Sequence, residues 1–163
     1  MPLVFFSAFS VPFFFLMQLR RSSDILLRIF VYLASNPERS PVSIQDLSEE
    51  LAWNKNLVVK VAHLAVQQGW LAASRGRAGG LALAKPAGEY NLGEIVRFLE
   101  DDVPVINCDE PPCPLLAGGC RLRGALNKAR EAFYRTLEDY TLADLVSSRT
   151  EESVVRFVGK KES

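Results

Sequence analysis

Apolar positions recur at helical spacing from about residue 22 onward, and polar or glycine-rich breaks divide the pattern into short elements. Ser22–Ser23–Asp24 offers N-cap residues and a first-turn carboxylate. Ile25, Leu26, Ile29, Phe30 and Leu33 then share one face until Asn36–Pro37 stops the run. A second helix is predicted to start at Ser43, with Asp46 at the capping-box position and Ile44, Leu47 and Leu51 on one face. After a tight break at Trp53–Asn54, a third helix runs from about Lys55 to Gln68 and ends at Gly69. Its inward positions are Leu57, Val58, Val61, Leu64 and Ala65. Short helices joined by a tight turn predict a helix-turn-helix over about 44–67.

The pattern then changes period. Trp70–Ser74 and Leu81–Ala84 are short apolar runs around a glycine-rich basic tip, RGRAGG (Arg75–Gly80), which predicts a β-hairpin wing over 70–84. Asn91 caps a helix of about ten residues carrying Leu92, Ile95, Val96 and Leu99. The stretch Asp101–Gly119 is irregular and rich in Pro and Gly. From about Arg121 a long amphipathic helix presents Leu122, Ala125, Leu126, Ala129, Phe133 and Leu137 as far as Tyr140. A short helix, Leu142–Val146, follows, and the tail from 148 to 163 is polar, charged and expected to be loose. The predicted fold is mostly α with a small β-wing: a winged helix-turn-helix domain over 17–100, a cysteine loop over 101–120, and a dimerisation helix with a short terminal helix over 121–147.

Composition narrows the class. A chain of 163 residues, 48% apolar and 23% charged, is neither disordered nor a disulfide-rich secreted scaffold. Met1–Leu16 holds six of the ten Phe, two Pro and no charge. It lacks the basic start and small-residue cleavage site of a signal peptide, and it is short for a membrane span. The expectation is an over-extended leader before a start at Met17, with a membrane-associated segment as the alternative.

The net charge of zero, 19 basic against 19 acidic residues, conceals a division. Between Glu50 and Glu89 there is no acid, while Lys55, Lys60, Arg75, Arg77 and Lys85 give that window a charge of +5 and leave −5 for the remainder. The window coincides with the third helix and the wing, as phosphate contacts on double-stranded DNA require. Asn54, Lys55, Asn56 and Lys60 are the expected contacts from the helix, and Arg75 and Arg77 those from the wing tip. His63, two turns along, reads more readily as a helix-face or core histidine than as a base reader or ligand. No nucleophile–base pair, phosphate loop or metal-histidine motif is present, so the chain is not read as an enzyme.

Cys108, Cys113 and Cys120 stand in the irregular loop with four and six residues between them. An odd number of cysteines points to a reduced, cytosolic setting. The spacing does not supply the paired ligands of structural zinc. Thiolates from irregular loops hold iron–sulfur clusters, and three of them leave one coordination place for another ligand. Unconnected thiols or a thiol redox switch remain open on spacing alone.

Several stretches together carry a resemblance: LLRIFVYLAS, NKNLVVKVAHLAVQQGWL, SRGRAGGLALAKP, NLGEIVRFLE, the three cysteines, and CRLRGALNKAREAFYRTLEDYTLADLV. From Met17 to about Val146 the chain resembles the Rrf-type winged-helix transcription regulators, and among them the nitric-oxide-sensing iron–sulfur repressors. The resemblance implies a homodimer on an inverted-repeat operator in double-stranded DNA, without membrane attachment. Nitric oxide would be the effector, and genes for its detoxification would be derepressed. It also implies that Cys108, Cys113 and Cys120 hold a 2Fe–2S or 4Fe–4S cluster, with Asp24 as the fourth ligand from the partner subunit. A simpler role for Asp24 is a helix-terminal charge paired with Arg28. Two departures stand out. Arg123 occupies the place where the iron–sulfur-biogenesis regulators carry a His, and the cysteine spacing is uneven. The alternatives are a family member sensing iron–sulfur status or oxidative stress, and a small iron–sulfur electron carrier. The carrier needs neither the acid-free window nor the wing.

Overall fold

The computed structural model describes residues 18–76, 78–101, 105–115 and 119–146. The apolar leader, the tail from 147 and Arg77 lie outside them. In chain order the elements are α1 (Arg21–Ser35), a 3-10 turn (Pro37–Arg39), α2 (Ile44–Glu50), α3 (Lys55–Gln67), β1 (Leu71–Ala73) and β2 (Leu81–Leu83). A second 3-10 turn (Ala87–Glu89), α4 (Leu92–Leu99), α5 (Arg121–Glu138) and α6 (Leu142–Leu145) complete them. The fold is mostly helical with a small antiparallel two-stranded wing, as the apolar periodicities predict.

The core forms where α1 crosses α3. Ile25, Leu26, Ile29 and Phe30 of α1 pack with Val58, Val61, Ala62 and Ala65 of α3, and Leu47, Leu71 and Leu81 close the edges. Each helix presents one apolar stripe, so crossing them buries both stripes together. Phe30 also meets the rings of Trp70 and Tyr90 at centroid separations of 6.2 and 5.4 Å. The buried Tyr90 hydroxyl donates to the Trp70 carbonyl at 2.6 Å and accepts from the amides of Ala84 and Lys85 at 3.0 and 3.2 Å. It thus pins both ends of the wing to the core.

The start of α1 differs from the expectation. The helix begins at Arg21 with Arg20 in the N-cap position, and Ser22 and Ser23 lie within the first turn. Glu100, the residue after α4, supplies the missing cap: its carboxylate accepts from the Arg20 amide at 3.0 Å and from the buried Ser23 hydroxyl at 2.5 Å. A carboxylate reaching an N-cap amide does the work of a capping-box residue, here from a distant part of the chain. Arg20 adds ion pairs to Glu100 and Asp101.

Ser43 and Asn91 cap as the sequence predicts, and Asn54, read there as a break, is a cap as well. Ser43 Oγ accepts from the Asp46 amide, Asn54 Oδ1 from the Asn56 amide, and Asn91 Oδ1 from the Glu94 amide. α5 lies on α4 at such close range that a Cβ on Gly93 would stand 2.7 Å from the Tyr134 carbonyl oxygen and 2.6 Å from the Glu138 nitrogen. Arg97 of α4 binds Glu131 through both terminal nitrogens at 2.9 and 3.0 Å, reaches Glu138 at 3.1 Å, and covers the Tyr134 ring. Among the described residues no helix is long and apolar enough to cross a membrane.

Candidate nucleic-acid interface and cysteine loop

α2, the turn at 51–54 and α3 form the helix-turn-helix. Ala52 takes a positive φ of 54° in that turn, and the chain re-enters a helix at Lys55 with Asn54 as cap. Lys55, Asn56 and Lys60 are exposed along α3, on the side away from its buried stripe. Asn54 is also exposed, but its side-chain oxygen is committed to the Asn56 amide at 2.9 Å. His63 is exposed on the same outer side of the helix.

The wing is held against this unit by its own backbone. Leu71 pairs with Leu83 and Ala73 with Leu81, and Leu81 exchanges both backbone hydrogen bonds with Val42, just ahead of α2, at 2.8 and 2.9 Å. Gly80 permits that approach, since a Cβ there would meet the Val42 carbonyl oxygen at 2.4 Å. Arg75 is exposed at the tip. A cleft of about 350 Å³ separates wing from helices, bordered by Gln45, Lys55, Ser74, Gly76 and Gly79. Five sequence-predicted contacts, Asn54, Lys55, Asn56, Lys60 and Arg75, therefore lie on the exposed surface of the α3–wing unit.

Trp53 links the turn to α1. Its ring stands under the guanidinium groups of Arg21 and Arg28, 5.3 and 5.8 Å from the centroid. Arg28 in turn donates from Nε to Asp24 Oδ1 at 2.6 Å, the i,i+4 pair open to it in the sequence. A second anchor joins α1 to α2. The buried Tyr32 hydroxyl donates to Glu50 at 2.6 Å, and Arg39 binds the same carboxylate at 2.6 and 3.0 Å. The Arg39 guanidinium holds the Glu50 carboxyl below its usual range, outweighing its partial burial, while burial pushes the Tyr32 phenol up.

The cysteine loop leaves α4 at Glu100 and Asp101, the carboxylates bound to Arg20. Asn107 Oδ1 accepts from the amides of Asp109 and Glu110, and the Cys113 amide donates to the Cys108 carbonyl at 2.9 Å, closing the turn. Cys108 is buried, Cys113 and Cys120 are half-buried, and Cys120 is the N-cap residue of α5; all three are free thiols. Among the described residues no three His, Cys, Asp or Glu side chains are gathered around a single-ion site. Free thiols from one irregular loop nevertheless match the donor chemistry of an iron–sulfur cluster, which carries its own bridging sulfides. Asp24 is engaged with Arg28.

Sequence reasoning missed the Glu100 cap and the Trp53–Arg28 contact, because both depend on which distant elements meet. It also passed over Val59, whose apolar side chain falls outside the inward stripe of α3.

Comparison with known proteins agrees with this architecture. Residues 19–148 match the model of the Rrf2 family, described as iron-dependent transcriptional regulators. The global cysteine regulator CymR (YrzC) of B. subtilis superposes with a TM-score of 0.64 at 21% identity, over 80% of this chain and 97% of that one. IscR of T. potens superposes at 0.67 with 18% identity, over 83% and 90%. The oxidised form of Staphylococcus aureus CymR superposes at 0.62 with 22% identity, over 80% and 97%. Members of the matched family are transcription regulators rather than enzymes. This chain belongs to the Rrf2 family of transcriptional regulators.

Proposed function

We propose that the protein is a dimeric, cytoplasmic repressor of the NsrR type, which senses nitric oxide through an iron–sulfur cluster and derepresses genes for nitric-oxide detoxification. The observation that carries this reading is the join between sensor loop and DNA-binding unit. The three free thiols stand in the loop that begins at Glu100 and Asp101, and those carboxylates hold the first turn of α1, the helix that packs on α3.

Cys108, Cys113 and Cys120 would hold the cluster from one subunit, with Asp24 contributed by the other. When bound, the cluster supplies iron reactive toward nitric oxide. The residues of the chain transmit the event. As a ligand Asp24 would give up its pair with Arg28, whose guanidinium also covers Trp53 in the helix-turn-helix turn. Loop movement acts on α1 through Glu100, and α1 carries α3 with it. Two α3 helices at a fixed separation fit adjacent half-sites of an inverted repeat, so a small shift weakens binding to both. A coupling free energy of about 1–3 kcal/mol changes affinity roughly five- to 150-fold. In this reading 17–100 is the DNA-binding unit, 101–120 the sensing loop and 121–147 the dimerisation segment.

The test is anaerobic reconstitution with iron and sulfide, followed by binding to an operator selected from random DNA, before and after stoichiometric nitric oxide. Loss of binding after nitric oxide is expected, and an unchanged curve overturns the sensor role. Cys113→Ala should abolish the visible absorbance of the reconstituted protein; a colourless wild type removes the cluster from the account. A second reading, a regulator responding to thiol oxidation or iron–sulfur status, is favoured by the three free thiols that form no single-ion site among the described residues. It predicts loss of operator binding with peroxide or on cluster removal, without nitric oxide.

A further inference from the structure

The outer face of α3 carries one large apolar side chain among polar ones. Val59 is 42% exposed. Helical spacing sets it beside Asn56, Lys60 and His63, all exposed, while Val58, Val61, Ala62 and Ala65 bury the opposite face. Isolated exposed apolar residues are common on protein surfaces. Val59 differs in its setting, because it stands inside the acid-free basic window, on the side of α3 that faces away from the core. A β-branched residue at such a site is also a weaker helix former than the straight-chain residues that usually cover exposed helix faces. Folding of α3 therefore gives no reason for Val at this position.

The major groove of B-DNA displays one apolar group on its base edges, the C5-methyl of thymine. Around it are hydrogen-bonding atoms and, beyond them, the phosphates. The face of α3 has a matching arrangement: an apolar side chain at its middle, an amide at Asn56 and a cation at Lys60. We propose that Val59 is a specificity-determining residue, packing its γ-methyl groups against a thymine methyl and so requiring a T·A pair at one position of each half-site. This rests on the reading of α3 as the helix that enters the major groove.

The measurement is a two-by-two comparison on the full chain. An operator is selected from random double-stranded DNA, and each thymine is replaced singly by deoxyuridine, which removes the methyl and leaves the hydrogen-bonding edge intact. For wild type, one thymine per half-site should cost about three- to tenfold in affinity, the scale of one buried methyl. Val59→Ala, an exposed substitution toward a better helix former, should lose the same factor on the thymine operator. It should lose nothing further on the deoxyuridine one. Independent losses for protein and DNA changes overturn the proposal. So does a Val59→Ala variant with altered oligomeric state and an intact thymine preference, which would assign Val59 to a protein contact. Lys60→Ala separates this failure from that of the underlying reading. Weakened binding by Lys60→Ala with no coupling at Val59 removes only the thymine contact. Silence of both variants removes the major-groove placement of α3 as well.

Discussion

Gly93 stands where a side chain has no room. A Cβ there would meet Glu138 Cγ at 2.4 Å and backbone atoms of Tyr134 and Glu138 at 2.7 and 2.6 Å, and backbone cannot swing aside as a side-chain tip can. Gly93→Ala should destabilise the protein by about 1–3 kcal/mol through overpacking, read as a lower urea midpoint. An unchanged midpoint would mean that α5 moves freely off α4. Glu50 gives a pH-dependent counterpart. Its carboxyl titrates below the usual range because Arg39 binds the ionised form. The stabilisation is therefore complete above the carboxyl value of the unfolded chain and is lost as pH falls through the lowered folded value. Urea midpoints should show wild type ahead of Glu50→Gln at neutral pH and the gap closing on acidification below the normal carboxylate range. A gap constant across that range would mean that Glu50 acts through packing alone. Both effects escape a reading of the sequence, where Gly93 is one more helical glycine and Glu50 one more surface acid.

At the scale of elements, boundaries were legible where capping is local. Ser43, Asn54 and Asn91 each cap the helix that follows them, and the periodicity of α3 named its buried face. α1 was misplaced at its start because Glu100, at the far end of the domain, provides its cap. α5 shows the reverse situation. Its apolar stripe was legible, yet Tyr134 is its buried residue, while Leu122 and Phe133 are 59% and 41% exposed. Those two side chains, with Leu126 and Leu137, leave an apolar face suited to a second copy of the helix. In the proposed dimer, Phe133→Glu should raise the dissociation constant by about tenfold or more, since a buried aromatic anchor carries a large share of an interface. Sedimentation velocity over a dilution series checks this; an unchanged dimer would place the interface elsewhere.

Over the whole molecule, neutrality is the sum of a basic window, the one proposed to face DNA, and an acidic remainder. Lys55, Lys60 and Arg75 are exposed on α3 and the wing, while Glu100 and Asp101 are engaged with Arg20 at the start of α1. Lys60→Ala should weaken binding to all DNA sequences alike and reduce the slope of log affinity against log salt by about one, as removal of a phosphate contact does. A slope unchanged within error would take Lys60 off the backbone of the DNA.

The amino-acid sequence by itself determined the helical stripes, the local caps, the glycine-rich hairpin and the segregation of charge, because each depends on residues a few positions apart. The tertiary structure decided what lies against what: Glu100 on α1, Arg28 over Trp53, and Gly93 under α5. Those contacts join residues far apart in the chain, and their pairing is set by how the stripes cross when they bury one another.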